Sequence, residues 1–127
     1  MKFEHNNISP LDNRYSSKIL DIRSCFSEAE LIKQRFIIEI DWLIYLCDKH
    51  PTHFLKISNT LKNKLNIFKN EFSDKYVLKI KKIEKKTNHD VKAVEYFIKD
   101  HFLKEKFNEL DIKNYNEFIH FGLTSQD

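Results

Sequence analysis

The chain has 127 residues and a net charge of +3, so it fits one domain, and its near balance of 22 basic and 19 acidic residues argues against a dedicated nucleic-acid binder. One glycine and two prolines leave few formers of hairpins and tight βα turns, which favours an all-α fold with loops built from Asn, Asp and Ser. No run of about 18 apolar residues exists, so no membrane helix is expected, and Met1 to Asn7 lack the apolar core of a secretion signal.

Residues 1–15 read as an irregular arm ending in a turn, because Pro10 fixes its own φ and Asp12-Asn13 are turn formers. A short helix is predicted from about Ser17 to Phe26. Ser27-Glu28-Ala29-Glu30 is a capping box, with Ser27 at the N-cap and Glu30 at N3. It opens the longest helix, which His50-Pro51 ends. On it Leu31, Ile32, Phe36, Ile40, Leu43, Ile44 and Cys47 form a broad apolar face, with Glu28, Lys33, Arg35, Glu39 and Asp48 placed elsewhere.

Two more helices are predicted, from about Thr52 to Phe72 on the period of Leu61, Leu65 and Phe68, and from Ser73 to Lys85 on that of Val77, Ile80 and Ile83. Asp90 is placed as the cap of a helix from Val91 to about Phe107, with Val91, Val94, Ile98 and Phe102 inward and Phe97 beside them. A polar loop over 108–116 and a short helix carrying Phe118, Ile119 and Phe121 complete the chain. Cys25 and Cys47 both lie in apolar helical contexts and read as reduced core thiols of a cytosolic protein.

Most candidate chemistry has a plainer reading. Lys79, Lys81, Lys82, Lys85 and Lys86 form a basic stripe, but Ile80 and Ile83 interleave at the period of a solvated amphipathic helix. Cys47, His50 and His53 lack a fourth ligand and are interrupted by Pro51, so no metal site is read there. His5 and His101 read as surface residues. Asn88-His89-Asp90 stands apart, because an amide, an imidazole and a carboxylate gather where backbone N–H groups are unpaired, a natural place for an anion. Arg14-Tyr15 adds a planar guanidinium beside a polar-tipped ring, and Thr124-Ser125 adds two hydroxyls after Gly122, the one glycine.

Three segments carry a resemblance: Ser9-Pro10-Leu11-Asp12-Asn13-Arg14-Tyr15, then Thr87-Asn88-His89-Asp90-Val91-Lys92-Ala93-Val94-Glu95-Tyr96, then Glu117-Phe118-Ile119-His120-Phe121 leading into Thr124-Ser125. In order and spacing they resemble the adenylosuccinate lyase family of the fumarase/aspartase superfamily, over essentially the whole chain from about Ile8 to Asp127. The resemblance implies that residues 1–127 are the N-terminal helical domain of such a lyase, ending before the central helix bundle and the C-terminal domain. Within it, 1–15 is the arm with the Arg-Tyr motif, and 118–127 starts the Thr-Ser substrate segment.

The same resemblance implies a cytoplasmic homotetramer acting on purine nucleotides. Fumarate would be eliminated from adenylosuccinate, giving AMP, and from the succinylated aminoimidazole carboxamide ribotide. No cofactor, nucleic acid, metal or membrane partner is implied. By match of motif, Arg14, Tyr15, Asn88, His89, Asp90, Thr124 and Ser125 bind substrate, and His89 supports catalysis. The main general acid and the serine base would lie further along, so the 127 residues alone are expected to be inactive, with His89 and His120 first to examine otherwise. Departures are Gln126 for the usual Glu, Asn13 for a common Gly, with an Asn able to keep a left-handed turn, and Gly122-Leu123 for Ala-Cys. The competing readings are a non-catalytic helical interaction protein derived from such a lyase, or another lyase of the superfamily, such as one acting on argininosuccinate.

Overall fold

The computed structural model describes residues 9–104 and 112–126, with the side chains of 102–104, 112 and 113 set aside. His5, the side chain of Phe102, the helix tail toward Phe107 and the loop over 108–111 therefore lie outside the described residues. The chain divides into two units, Met1–Leu31 and Ile32–Asp127. Among the described residues every regular element is helical, as the composition predicts.

In the first unit the Ser9 hydroxyl accepts from the Leu11 N–H at 3.2 Å and opens a 3-10 turn, Pro10–Asp12. Asn13 has φ −131°, so the left-handed conformation expected of it is not used. A second 3-10 turn, Ser16–Lys18, is separated from α1 (Leu20–Phe26) by Ile19, whose φ and ψ of −117° and 22° are not helical. The predicted helix from Ser17 is thus broken. Ser27 serves two helices: its N–H donates to the Arg23 carbonyl at 3.1 Å, and its hydroxyl accepts from the Glu30 N–H at 3.2 Å. That second bond caps α2 (Glu28–Lys49), as the capping box predicts. Cys25 is exposed on α1, which corrects its reading as a core thiol.

In the second unit the inward face of α2 is Ile32, Phe36, Ile40, Leu43, Ile44 and Cys47. Leu31, expected on that face, is half exposed in the preceding unit. Phe36 is fully buried and meets Phe68 edge-on at 5.0 Å, Phe72 at 5.2 Å, and Tyr76 and Phe97 at 6.1 Å. Burying such a ring contributes about 2–3 kcal/mol, with about 1 kcal/mol more from good aromatic geometry. His101, read as a surface residue, stacks on Phe68 at 3.8 Å and extends this cluster.

Helix α3 (Asn59–Asn70) starts later than predicted. Residues after Pro51 turn back, with the His53 and Phe54 N–H groups donating to the His50 carbonyl. Ile57 is then buried, and the Lys56 carbonyl accepts from the Tyr115 hydroxyl at 2.9 Å. Only Ser58 supplies a cap, accepting from the Leu61 N–H at 3.1 Å. Lys69–Asp41 at 2.5 Å and Lys62–Asp48 at 3.3 Å join α3 to α2, each contributing about 0–1 kcal/mol at the surface.

Helix α4 (Asp74–Thr87) buries Ile80 and half-buries Val77 and Ile83, while Lys79, Lys82, Lys85 and Lys86 face solvent. The basic stripe is a solvated face, as its plainer reading holds. Helix α5 (Asp90–Lys104) turns Val91, Ala93, Val94, Phe97 and Ile98 inward. Part of the expected polar loop is helix α6 (Ile112–Tyr115), with Tyr115 buried. The final helix predicted around Phe118 is a single 3-10 turn, Asn116–Phe118, after which Ile119 is buried and Phe121 exposed.

Candidate functional site

Arg14 and Tyr15 belong to the first unit, where the guanidinium carbon stands 5.2 Å from the ring centre of Tyr15. Lys18 approaches the same ring at 5.9 Å. Both motif residues are exposed, with the cationic group held at an aromatic face.

Asn88-His89-Asp90 makes the corner between α4 and α5. Asn88 takes φ 52° and ψ 34°, the left-handed cap conformation that asparagine tolerates, and its N–H donates to the Glu84 carbonyl at 2.7 Å. His89, not Asp90, caps α5: its Nδ1 accepts from the Lys92 N–H at 3.2 Å, and its carbonyl accepts from the Ala93 N–H at 3.1 Å. An accepting Nδ1 puts the proton of the neutral ring on Nε2. Asp90 opens the helix, its Oδ1 accepting from the Val91 N–H at 2.9 Å and its Oδ2 from Arg35 at 2.6 Å.

The first-turn N–H groups of Val91 and Lys92 are therefore taken by the chain's own side chains. The expected anion cradle of unpaired amides is closed from within. What the corner offers instead is an exposed imidazole, a carboxylate and the Arg35 guanidinium. The Val91 N–H bond, followed by Arg35, holds the Asp90 carboxyl below its usual range.

The third segment forms a tight turn. His120 has φ 64° and Gly122 has φ 73°, both in the left-handed region. The Trp42 indole N–H donates to the Phe121 carbonyl at 2.8 Å, tying the turn to α2. Thr124 and Ser125 follow, exposed, with the Thr124 hydroxyl accepting from the Gln126 N–H at 3.3 Å. The described contacts join this turn to α2; they do not join it to the Asn88-His89-Asp90 corner.

One feature contradicts the sequence reading outright. Glu39, placed off the apolar face of α2, is buried to 4 % exposure. Its Oε1 lies 2.5 Å from Nδ1 of His120. Its Oε2 is buried with no hydrogen-bond partner. Burial pushes the Glu39 carboxyl up from its usual range, against the pull of the His120 bond. Glu95 of α5 is equally buried but receives Lys92 at 2.7 Å and Lys99 at 2.8 Å. Although burial works the other way, those two bonds hold its carboxyl below the ordinary value. Both glutamates keep the helical register, Glu39 between Phe36 and Leu43 and Glu95 between Val91 and Ile98. That register was the available signal for both.

No protein-family model matches the chain. Individual relatives do match. It is 43 % identical over 122 residues to the adenylosuccinate lyase of Vibrio cholerae, 42 % over 124 to that of Dictyostelium discoideum and 39 % over 122 to that of Escherichia coli. Each match covers 94 % of this chain, which spans about 26 % of the length of these relatives. At this identity over nearly all of its residues, the chain corresponds in sequence to the N-terminal portion of adenylosuccinate lyases.

Proposed function

We propose that the chain supplies the N-terminal part of a carbon–nitrogen lyase that eliminates fumarate from adenylosuccinate, giving AMP, and from the succinylated aminoimidazole carboxamide ribotide. The observation that carries this reading is the match near 40 % identity along 94 % of the chain. In such an elimination a proton leaves the carbon beside a carboxylate, the C–N bond breaks, and the departing nitrogen takes up a proton. The protein must supply an acid, a base and donors for the developing charge.

On this reading Arg14 and Tyr15 hold the nucleotide, Thr124 and Ser125 hold the succinyl part, and Asn88, His89 and Asp90 line the substrate. His89 suits a supporting role, because an imidazole whose Nδ1 is engaged in capping presents its Nε2–H as a donor. The same reading makes the enzyme cytoplasmic and homo-oligomeric, and places its principal acid and base in the part of the family this chain does not match.

The test is a chimera. The matched N-terminal portion of the Vibrio cholerae enzyme is replaced by this chain, and fumarate release from adenylosuccinate is followed. Turnover within about tenfold of the parent is expected, since the proton-transfer groups would be intact. A soluble, assembled chimera that binds adenylosuccinate without releasing fumarate, or does not bind it, refutes the reading and favours a non-catalytic descendant.

A further inference from the structure

We propose that Glu39 is a positioning residue for His120, holding the ring by Nδ1 so that Nε2 is the nitrogen presented to a bound ligand for hydrogen bonding or proton exchange. The inference rests on the lyase reading for what the ring acts upon, and on the geometry alone for the pair itself.

Three observations carry it. First, the pair is expensive by design of its surroundings. A carboxylate on the inward register of α2, beside Phe36, Ile40 and Leu43, is held by His120 alone, through its ring and its backbone, and its Oε2 is buried without a hydrogen-bond partner of good geometry. An apolar residue of similar size would serve the core at least as well. Glu95 shows the contrast, since both of its oxygens are bonded to lysines and its role in the core is complete.

Second, the backbone is bent to bring the ring there. His120 holds a left-handed φ of 64°, which a residue with a Cβ adopts at a cost, and Gly122 follows at 73°. The Trp42–Phe121 bond fixes the same turn one helical turn along α2 from Glu39, on the same face. Two anchors on one helix face leave the ring little freedom to turn.

Third, the arrangement selects a tautomer. With Glu39 ionised the carboxylate only accepts, which places the ring proton on Nδ1 and leaves Nε2, on the opposite edge, as the exchanging atom. The His120 side chain keeps 20 % of its surface exposed, and the Thr124-Ser125 hydroxyls lie four and five residues on. The charged groups packed near Glu39 are Glu95 from α5 and, through it, Lys92 and Lys99.

The experiment has two arms. In the 127-residue chain, nitrogen NMR of the His120 ring, assigned with His120→Gln, is recorded at about pH 8, where an ordinary imidazole is neutral. The proton is expected on Nδ1 in the wild type. In Glu39→Gln the side-chain amide can donate to Nδ1, so the proton moves to Nε2. A wild-type ring protonated mainly on Nε2, or the same tautomer ratio in both proteins, overturns the proposal, and the wild-type result stands even should the variant fail to fold.

In the fumarate-releasing chimera, Glu39→Gln is expected to lower kcat about tenfold or more with KM changed less than about threefold. Unchanged kcat with only a lower unfolding temperature would show a purely structural role and overturn it. A wild-type chimera without fumarate release refutes the lyase reading instead, and the NMR arm then decides the pair by itself.

Discussion

Replacing His89 separates two jobs held by one ring. Its Nδ1 accepts from the Lys92 N–H at 3.2 Å at a side chain 55 % exposed. His89→Ala removes that acceptor, but water reaches the amide, so the loss sits in the lower part of the range for a helix cap, about 0.5–1 kcal/mol. For a cooperative unit of this size that is about 2–8 °C in Tm. His89→Asn supplies another good capping oxygen and should unfold within about 2 °C of the wild type. Thermal unfolding followed by far-ultraviolet circular dichroism reads both. Equal losses in the two variants, or none in His89→Ala, would refute capping by the ring. In the chimera His89→Asn should still lose turnover by about a hundredfold, because a cap is restored and an imidazole is not.

Three further outcomes are expected. Burial pushes the Cys47 thiol up to about 11, so in the folded chain a thiol reagent at neutral pH should label exposed Cys25 and spare Cys47 until the protein is unfolded; prompt labelling of both would contradict the core placement. Phe36→Ala should cost about 3–5 kcal/mol by denaturant titration, since the ring is fully buried against Phe68, Phe72, Tyr76 and Phe97; a loss under about 1 kcal/mol would show that the cluster is not packed as described. Glu95 has a lowered folded pKa, so its stabilisation is present above the ordinary value of 4.5 and is lost as pH falls through the folded value; Glu95→Gln should flatten the stability profile below 4.5, and an unchanged acid limb would remove Glu95 from the account.

The helices were legible where period and punctuation agree. Ser27 announces α2 by a capping box, and its hydroxyl makes the predicted bond. The late start of α3 was less legible. Pro51-Thr52 reads locally as a restart, but the chain runs on to bury Ile57 and to meet the Tyr115 hydroxyl, contacts set by residues far along the sequence. The Ser58 cap was in the sequence all the same. Ile19 carries no breaker signal, and its departure from helix has no local cause in residue type. Cys25 is exposed and His101 half-buried against Phe68 for the same reason: exposure depends on which face a neighbouring helix covers, which local apolar content does not specify. Glu39 was missed by treating charge as a sign of the outer face, although its register pointed inward.

The corner at Asn88-His89-Asp90 shows how far structure alone accounts for a motif. Asn88 is explained by a left-handed backbone, and Asp90 by its bonds to the Val91 N–H and Arg35. His89 is explained only in part. Serine, threonine, asparagine and aspartate cap helices well with far smaller side chains, and the chain uses Ser27 and Ser58 for that purpose elsewhere. An imidazole at this position brings a second nitrogen, on the edge opposite the cap, that no cap requires. Capping fixes the ring's tautomer and orientation, while the exposed remainder of the ring carries a donor of known polarity. The same logic applies to His120, whose Nδ1 is held by a carboxylate instead of an amide. Each histidine is anchored by Nδ1, but an N–H donor at His89 and an acceptor at His120 select opposite tautomers. The same anchoring atom thus leaves Nε2 a hydrogen-bond donor at His89 and an acceptor at His120.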